Sequence, residues 1–90
     1  MSPRTNLLNQ FEAMVNETSP EEVITGFAAV ELSRPGTRYM IRVHTSQKVQ
    51  IHTVPSGWLN ITVQRTYAVW VDDDGHMNHG LSEKPTVVVA

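Results

Sequence analysis

The stretch VPSGWLNITVQRTYAVWV, residues 54–71, decides the predicted fold. After a turn at 55–57, apolar side chains occupy odd-numbered positions, beginning with Leu59, Ile61 and Val63. Such alternation is typical of a strand that has one buried and one solvated face. Trp58 falls on the solvated face, which raises the question of what a tryptophan does there.

The same odd-numbered pattern is present upstream, which predicts a meander of three or four antiparallel strands. The upstream members are Tyr39, Ile41, Val43, Val49, Ile51 and Thr53. The polar segment 44–48 predicts a five-residue loop that pairs Val43 with Val49. The turn at 55–57 predicts that Val54 pairs with Trp58.

Arg65 interrupts the apolar pattern of the last strand. A straight strand over 58–71 would be roughly 46 Å long at 3.3 Å per residue. A compact chain of this size has a radius of gyration of only about 12 Å. We therefore expect a bulge or a sharp bend at 64–66.

The N-terminal third predicts one or two helices. Apolar residues at helical spacing between Leu7 and Val15 indicate an amphipathic helix over 4–17, capped by Ser2 and Pro3. The segment SPEE, residues 19–22, matches a capping box and predicts a second helix over 20–25. Gly26 would end this helix, and a strand over 27–33 would follow.

Residues 26–33 could also continue the second helix, and the sequence leaves this alternative open. In the strand alternative, a hairpin about Arg34 and Pro35 pairs Val30 with Tyr39 and Ala28 with Ile41, which places both pairs on one face.

The C-terminal part begins with a polar turn, DDDG at 72–75. An irregular loop is expected over 76–85, followed by a last strand over 86–89 at a sheet edge. The predicted fold is a single α+β domain over 1–90. One or two N-terminal helices pack on a four- to five-stranded antiparallel meander sheet, and a sheet curled towards a small barrel stays open as an alternative.

Composition excludes several classes of chemistry. There is no cysteine, which excludes disulfides, thiolate metal sites and a cysteine nucleophile. No glycine-rich phosphate loop or nucleophile motif is present, so we predict neither an enzyme nor a cofactor. The histidine spacing fits no metal site, and DDDG does not match a calcium loop. No signal-peptide pattern or membrane-span pattern is seen, and we expect a cytoplasmic protein.

Charge is unevenly distributed within the net −2. Residues 1–31 carry −4 and residues 72–90 carry −3, whereas residues 32–71 carry +5 and contain no acidic residue. Alternation places Arg38, Arg42 and Lys48, with both tryptophans, on the face opposite the apolar one. The predicted binding residues are Arg38, Arg42, His44, Lys48, His52, Trp58 and Trp70.

Cations and aromatic side chains together favour an interaction protein, of the adaptor or inhibitor kind, whose partner is a protein with an acidic surface. Single-stranded nucleic acid is the alternative ligand of the same face, although nucleic-acid binders are commonly basic as a whole. The apolar C-terminal strand also permits a homodimer by edge pairing. The competing interpretation is that the tryptophans fill a second core inside a curled sheet.

Overall fold

The computed structural model describes residues 2–31, 34–55 and 57–89. Within them the chain forms one helix and five strands. The bounds are α1 Pro3–Thr18, β1 Glu22–Val30, β2 Thr37–Thr53, β3 Gly57–Asp72, β4 Met77–Leu81 and β5 Thr86–Val89. The predicted α+β class is confirmed, and the sheet is an open antiparallel meander that does not close into a barrel.

Helix α1 agrees with the predicted span and cap. The Ser2 hydroxyl accepts a hydrogen bond from the Thr5 backbone N–H, and Pro3 opens the first turn. Leu7, Phe11 and Val15 lie on one side of the helix and are buried against the sheet. The helix is neither long nor apolar enough to cross a membrane.

The second predicted helix is wrong. Ser19 is the C-cap of α1, and the chain enters β1 at Glu22. The β-branched run from Val23 to Thr25 favours an extended backbone and outweighs the capping pattern. The strand alternative for the following residues is correct as far as Val30, whereas residues 32 and 33 lie outside the described ranges.

The predicted β1–β2 register is wrong by one residue. Val30 lies opposite Met40, and Ala29 lies opposite Ile41. A one-residue slip moves side chains to the other face, so Ala28 and Val30 do not lie on the face that α1 covers.

Strands β2 and β3 form one long hairpin, which corrects three further predictions. The polar segment 44–48 lies inside β2 and is not a loop. Pairing between the strands continues without a shift from Tyr39–Val71 to Thr53–Gly57, so no bulge exists at 64–66. At the hairpin end it is His52, not Val54, that lies opposite Trp58.

Both β4 and β5 pair with the same edge of β3. β4 pairs along Tyr67–Val71, and β5 pairs along Ile61–Gln64. β5 is therefore the edge strand that the sequence predicts. β4 occupies part of the predicted irregular loop, so that prediction is wrong.

The core occupies only one end of this long sheet. α1 packs its apolar side chains on Ile41, Val43, Val69 and Val71. Beyond Gln47, where β1 ends its pairing, the hairpin continues without the helix as a narrow extension that we call the distal ribbon, residues 48–62. The molecule is consequently elongated, 52 × 22 × 19 Å, with a radius of gyration of 15.6 Å.

Candidate interaction face

The side of the sheet opposite α1, here called the outer face, carries the predicted binding residues. α1 covers odd-numbered positions of β2 and β3, so the even-numbered side chains point away from it. Six of the seven predicted residues are even-numbered members of the regularly paired part of these strands: Arg42, His44, Lys48, His52, Trp58 and Trp70. Arg38 lies at the register shift between Thr37 and Tyr39, so alternation does not assign it to a face. The sheet is open, so this face is not the interior of a barrel.

The end of the outer face on the distal ribbon is built around Trp58. Its side chain is 65% exposed. The His52 ring lies across the hairpin from it, with ring centroids 5.1 Å apart in an edge-on arrangement. Lys48 lies on the same face four residues before His52, opposite Thr62, and is exposed. It is therefore roughly 13 Å from His52 along the strand at 3.3 Å per residue. Within the described residues Lys48 forms no ion pair, so its charge is free to meet a partner.

The other end is built around Trp70, which is half-buried. Met40 and Asn78 flank it on the neighbouring strands. The indole lines a shallow groove of about 250 Å³ that also includes Arg34 and Met40. Arg42 lies opposite Ala68, is exposed, and makes no ion pair among the described residues.

The two tryptophans do not form a single site. They lie twelve residues apart on one continuous strand, which corresponds to roughly 40 Å at 3.3 Å per residue. His44 and Arg42 lie between them on β2. The outer face is therefore an extended surface with an aromatic side chain near each end.

The middle of the outer face is a polar groove of about 400 Å³. The His44 Nδ1 lies 3.0 Å from the Thr66 hydroxyl. Glu83 and Lys84 reach the groove from the segment between β4 and β5. Residues 32–71 contain no acidic residue, but the folded outer face does have an acidic neighbour, because Glu83 lies beside this groove.

An acidic turn lies beside the Trp70 end. Arg38 donates a hydrogen bond to the backbone carbonyl of Asp73, so this cation is already engaged. The Asp72 carboxylate accepts backbone N–H bonds from His76 and Asp74 and a side-chain bond from Asn78. These bonds, that from His76 foremost, hold the pKa of Asp72 below its usual value.

The turn also brings possible cation ligands together. Ligand atoms of Asp72, Asp74 and His76 lie within 4.8 Å of one another, a grouping that the histidine spacing does not suggest. The hydrogen bonds on Asp72 already explain this arrangement as a turn that ends β3. The predicted lack of a metal site stays a prediction.

A buried polar network on the helix side of the sheet was missed from the sequence. The Glu22 carboxylate accepts hydrogen bonds from the hydroxyls of Thr45, at 2.7 Å, and Tyr67, at 2.8 Å. Arg65 lies 3.5 Å from the same oxygen and donates to the Gln47 side chain at 2.8 Å. Burial, together with the Glu22 carboxylate, raises the pKa of Tyr67 to about 12. Tyr67 therefore stays a proton donor at neutral pH, and the network serves the fold rather than the outer face.

Comparison with known protein families, with curated proteins and with solved structures finds no match to this chain.

The different exposure of the two tryptophans gives a direct test of this geometry. In Trp70→Phe, which leaves Trp58 as the sole tryptophan, we expect red-shifted emission and strong quenching by iodide, because the indole is mostly in water. In Trp58→Phe, the remaining Trp70 should emit at shorter wavelength and be quenched less. Equal emission maxima and equal quenching in the two variants would contradict the exposure described here.

Proposed function

We propose that this protein is a small, non-enzymatic interaction protein, adaptor-like or inhibitor-like, that docks its outer face on an acidic surface of a protein partner. The observation that carries the proposal is the exposed Trp58, which lies against His52 and on the same face as Lys48, on a ribbon that α1 does not cover. A mostly exposed tryptophan loses hydration and gains contact area when a partner covers it, and tryptophan is enriched among the residues that dominate binding energy.

Charge supports an acidic partner. Lys48 and Arg42 are exposed on the outer face without ion pairs among the described residues, so both would speed encounter with a negative surface. Arg38 contributes less to this role, because it is engaged by the acidic turn. The Trp58 end is therefore the primary docking site in this proposal, and the Trp70 groove with Arg42 is a second contact about 40 Å away.

Single-stranded nucleic acid is the competing ligand for the same face. Stacking on Trp58 and phosphate contacts to Lys48 would suit it. The net charge of −2 disfavours it, because nucleic-acid binders are commonly basic as a whole. A cytoplasmic location completes the proposal, since a chain without cysteine is suited to a reducing compartment.

A homodimer through the C-terminal strand stays a secondary proposal. β5 pairs with β3 along one edge, and its other edge is free among the described residues. Strand Thr86–Val89 has only four residues, so edge pairing would add few hydrogen bonds.

The test uses Trp58 as its own reporter. In the Trp70→Phe background, poly-L-glutamate and single-stranded oligothymidylate are titrated separately at about 20 mM and about 200 mM salt. We expect poly-L-glutamate to change Trp58 emission at low salt. Lys48→Glu should weaken this binding by about tenfold, since the substitution reverses a charge on the same face of the distal ribbon as the indole.

The matched control is Arg4→Glu, which makes the same charge change on α1, on the other side of the sheet. It should leave the affinity unchanged. Calorimetry on Trp58→Ala should show a loss of at least about 30-fold, the size expected when a central aromatic anchor is removed.

Three results would count against the proposal. If neither polyanion changes the emission of Trp58, the outer face does not bind acidic ligands and the proposal is wrong. Equal weakening by Lys48→Glu and Arg4→Glu would mean that net charge, not the outer face, drives binding. If only oligothymidylate binds, and its affinity falls steeply between the two salt concentrations, the ligand of the outer face is nucleic acid and not a protein.

A further inference from the structure

The helix side of the distal ribbon carries an apolar surface that the chain itself covers only in part. We call it the apolar patch, and its members are Val49, Ile51, Leu59, Ile61, Val87 and Val89. Ile61 is buried at 9% exposure and Val49 is half-buried, whereas the other four are exposed. The members are contiguous across three strands, because Val49 pairs with Ile61, Ile61 pairs with Val89, and Ile51 pairs with Leu59. The exposed fractions are 42% for Ile51, 36% for Leu59, 57% for Val87 and 63% for Val89.

The apolar patch is free of charge. On the helix side of the distal ribbon and β5, the described positions are filled by aliphatic side chains, Thr53 and Gly57. Lys48 and His52 belong to the same segment of β2 but lie on the outer face. The patch therefore does not suit the acidic partner proposed for the outer face, and it requires an occupant that is itself apolar.

The molecule exposes more surface than a compact monomer of its mass. The accessible surface is 6113 Å², whereas a compact monomer of 10.1 kDa exposes about 5,300 Å². The excess of about 800 Å² reflects the elongated shape and is of the order of the area that one partner contributes to a standard stable interface.

We propose that two copies of this chain pack their apolar patches against each other about a two-fold axis. In such an arrangement the two ribbons stack as sheets about 10 Å apart, as in a β-sandwich. A second copy presents the same uncharged aliphatic face, so burial leaves no charge without a partner. The apolar patch of each copy thus covers the part of the other copy's sheet that α1 does not reach.

This dimer keeps both outer faces open. Trp58 and the apolar patch lie on opposite sides of the same ribbon, so the two indoles point away from the interface. The assembly would present two docking faces in fixed geometry, which increases avidity for a partner with repeated acidic sites. The proposal does not depend on that role, because self-association is measured without any ligand.

The experiment is sedimentation equilibrium on the full chain over about 1 μM to 1 mM protein, a range that brackets a micromolar dissociation constant. We expect the wild type to reach twice the mass of one chain. Leu59→Asp should raise the dissociation constant at least about a hundredfold, because each dimer would bury two unpaired carboxylates. Asn60→Asp is the matched control. It introduces an aspartate at the next position, on the outer face, and should leave the dimer intact.

A second matched pair separates face packing from edge pairing. Val89→Asp places a carboxylate in the apolar patch, whereas Val88→Asp places it on the other side of the same strand. Face packing predicts that only Val89→Asp dissociates the dimer. Pairing of β5 with its copy predicts that both do, since charge on an edge strand opposes further pairing.

Circular dichroism on each variant shows whether the chain stays folded, as expected for positions already exposed. Raising the salt to about 1 M should not weaken the wild-type dimer, because no ion pair holds it. A wild type that stays at the mass of one chain up to 1 mM would overturn the proposal. So would a dimer that survives Leu59→Asp, or one that is equally sensitive to Leu59→Asp and Asn60→Asp.

Discussion

Phe11→Ala should lower the free energy of unfolding by about 3–5 kcal/mol, the largest effect expected of any single substitution in this chain. The Phe11 side chain is 0% exposed and lies in the middle of the buried side of α1. Its ring contacts that of Tyr67, with centroids 5.2 Å apart, and that of His79, with centroids 5.8 Å apart. Alanine would leave a cavity where the only described helix meets the sheet.

A domain of this length has a total stability of only about 5–13 kcal/mol, so Phe11→Ala should unfold over much lower urea concentrations than the wild type. The matched control is Phe27→Ala, because Phe27 lies on the same side of the sheet but is 47% exposed. It should cost about 1 kcal/mol or less. Urea unfolding at a fixed protein concentration measures both, and equal losses would contradict the location of the core.

Glu22→Ala should lower the free energy of unfolding by about 2–4 kcal/mol. Glu22 is buried, and its carboxylate is the common acceptor for Thr45 and Tyr67. Thr45 is itself buried, so its hydroxyl cannot turn to water when the acceptor is removed. Arg65 adds less, since its guanidinium is partly exposed and 3.5 Å from Glu22.

Glu21→Ala provides the comparison, because Glu21 is the neighbouring glutamate and is exposed. It should change stability by no more than about 0.5 kcal/mol. Glu22→Gln, which keeps an oxygen acceptor, should fall between the two. Urea unfolding of all three distinguishes the roles, and a Glu21→Ala loss as large as that of Glu22→Ala would refute a buried network.

That network also explains which parts of the fold could not be predicted from the sequence. Glu22 fits a capping box, yet it is the acceptor of a buried cluster at the start of β1. Thr45 and Gln47 are polar at odd positions, so segment 44–48 resembles a loop. Arg65 breaks the alternation in the same way and resembles a bulge. Each of these residues is polar because of a partner on another strand, and such pairing is invisible to local patterns.

Other features followed from local chemistry and were predictable. The spacing from Leu7 to Val15 and the Ser2 cap define α1 within one residue at each end. Alternation in β2 and β3 places every predicted binding residue on one face except Arg38, which lies at a register shift. Alternation cannot reveal how far apart they lie, because this depends on β3 remaining a single strand rather than bending at 64–66.

β4 was missed for a compositional reason. The segment Met77–Leu81 contains glycine, asparagine and histidine, which have low strand propensity. It pairs because the turn at 72–75 returns the chain along β3. The approach of Glu83 to the outer face follows from this return, and therefore it could not be foreseen from the charge distribution along the chain.

Because the β2–β3 hairpin is long, the core that stabilises the fold lies far from the proposed docking site at Trp58. Trp58 lies roughly 40 Å along β3 from Trp70, and the core under α1 lies at the Trp70 end. Substitutions more than about 10 Å apart without shared contacts act independently. Outer-face side chains of the distal ribbon can therefore be exchanged with little penalty in stability. A lineage could diversify the partners of this protein at the ribbon while purifying selection acts on the helix and the sheet beneath it.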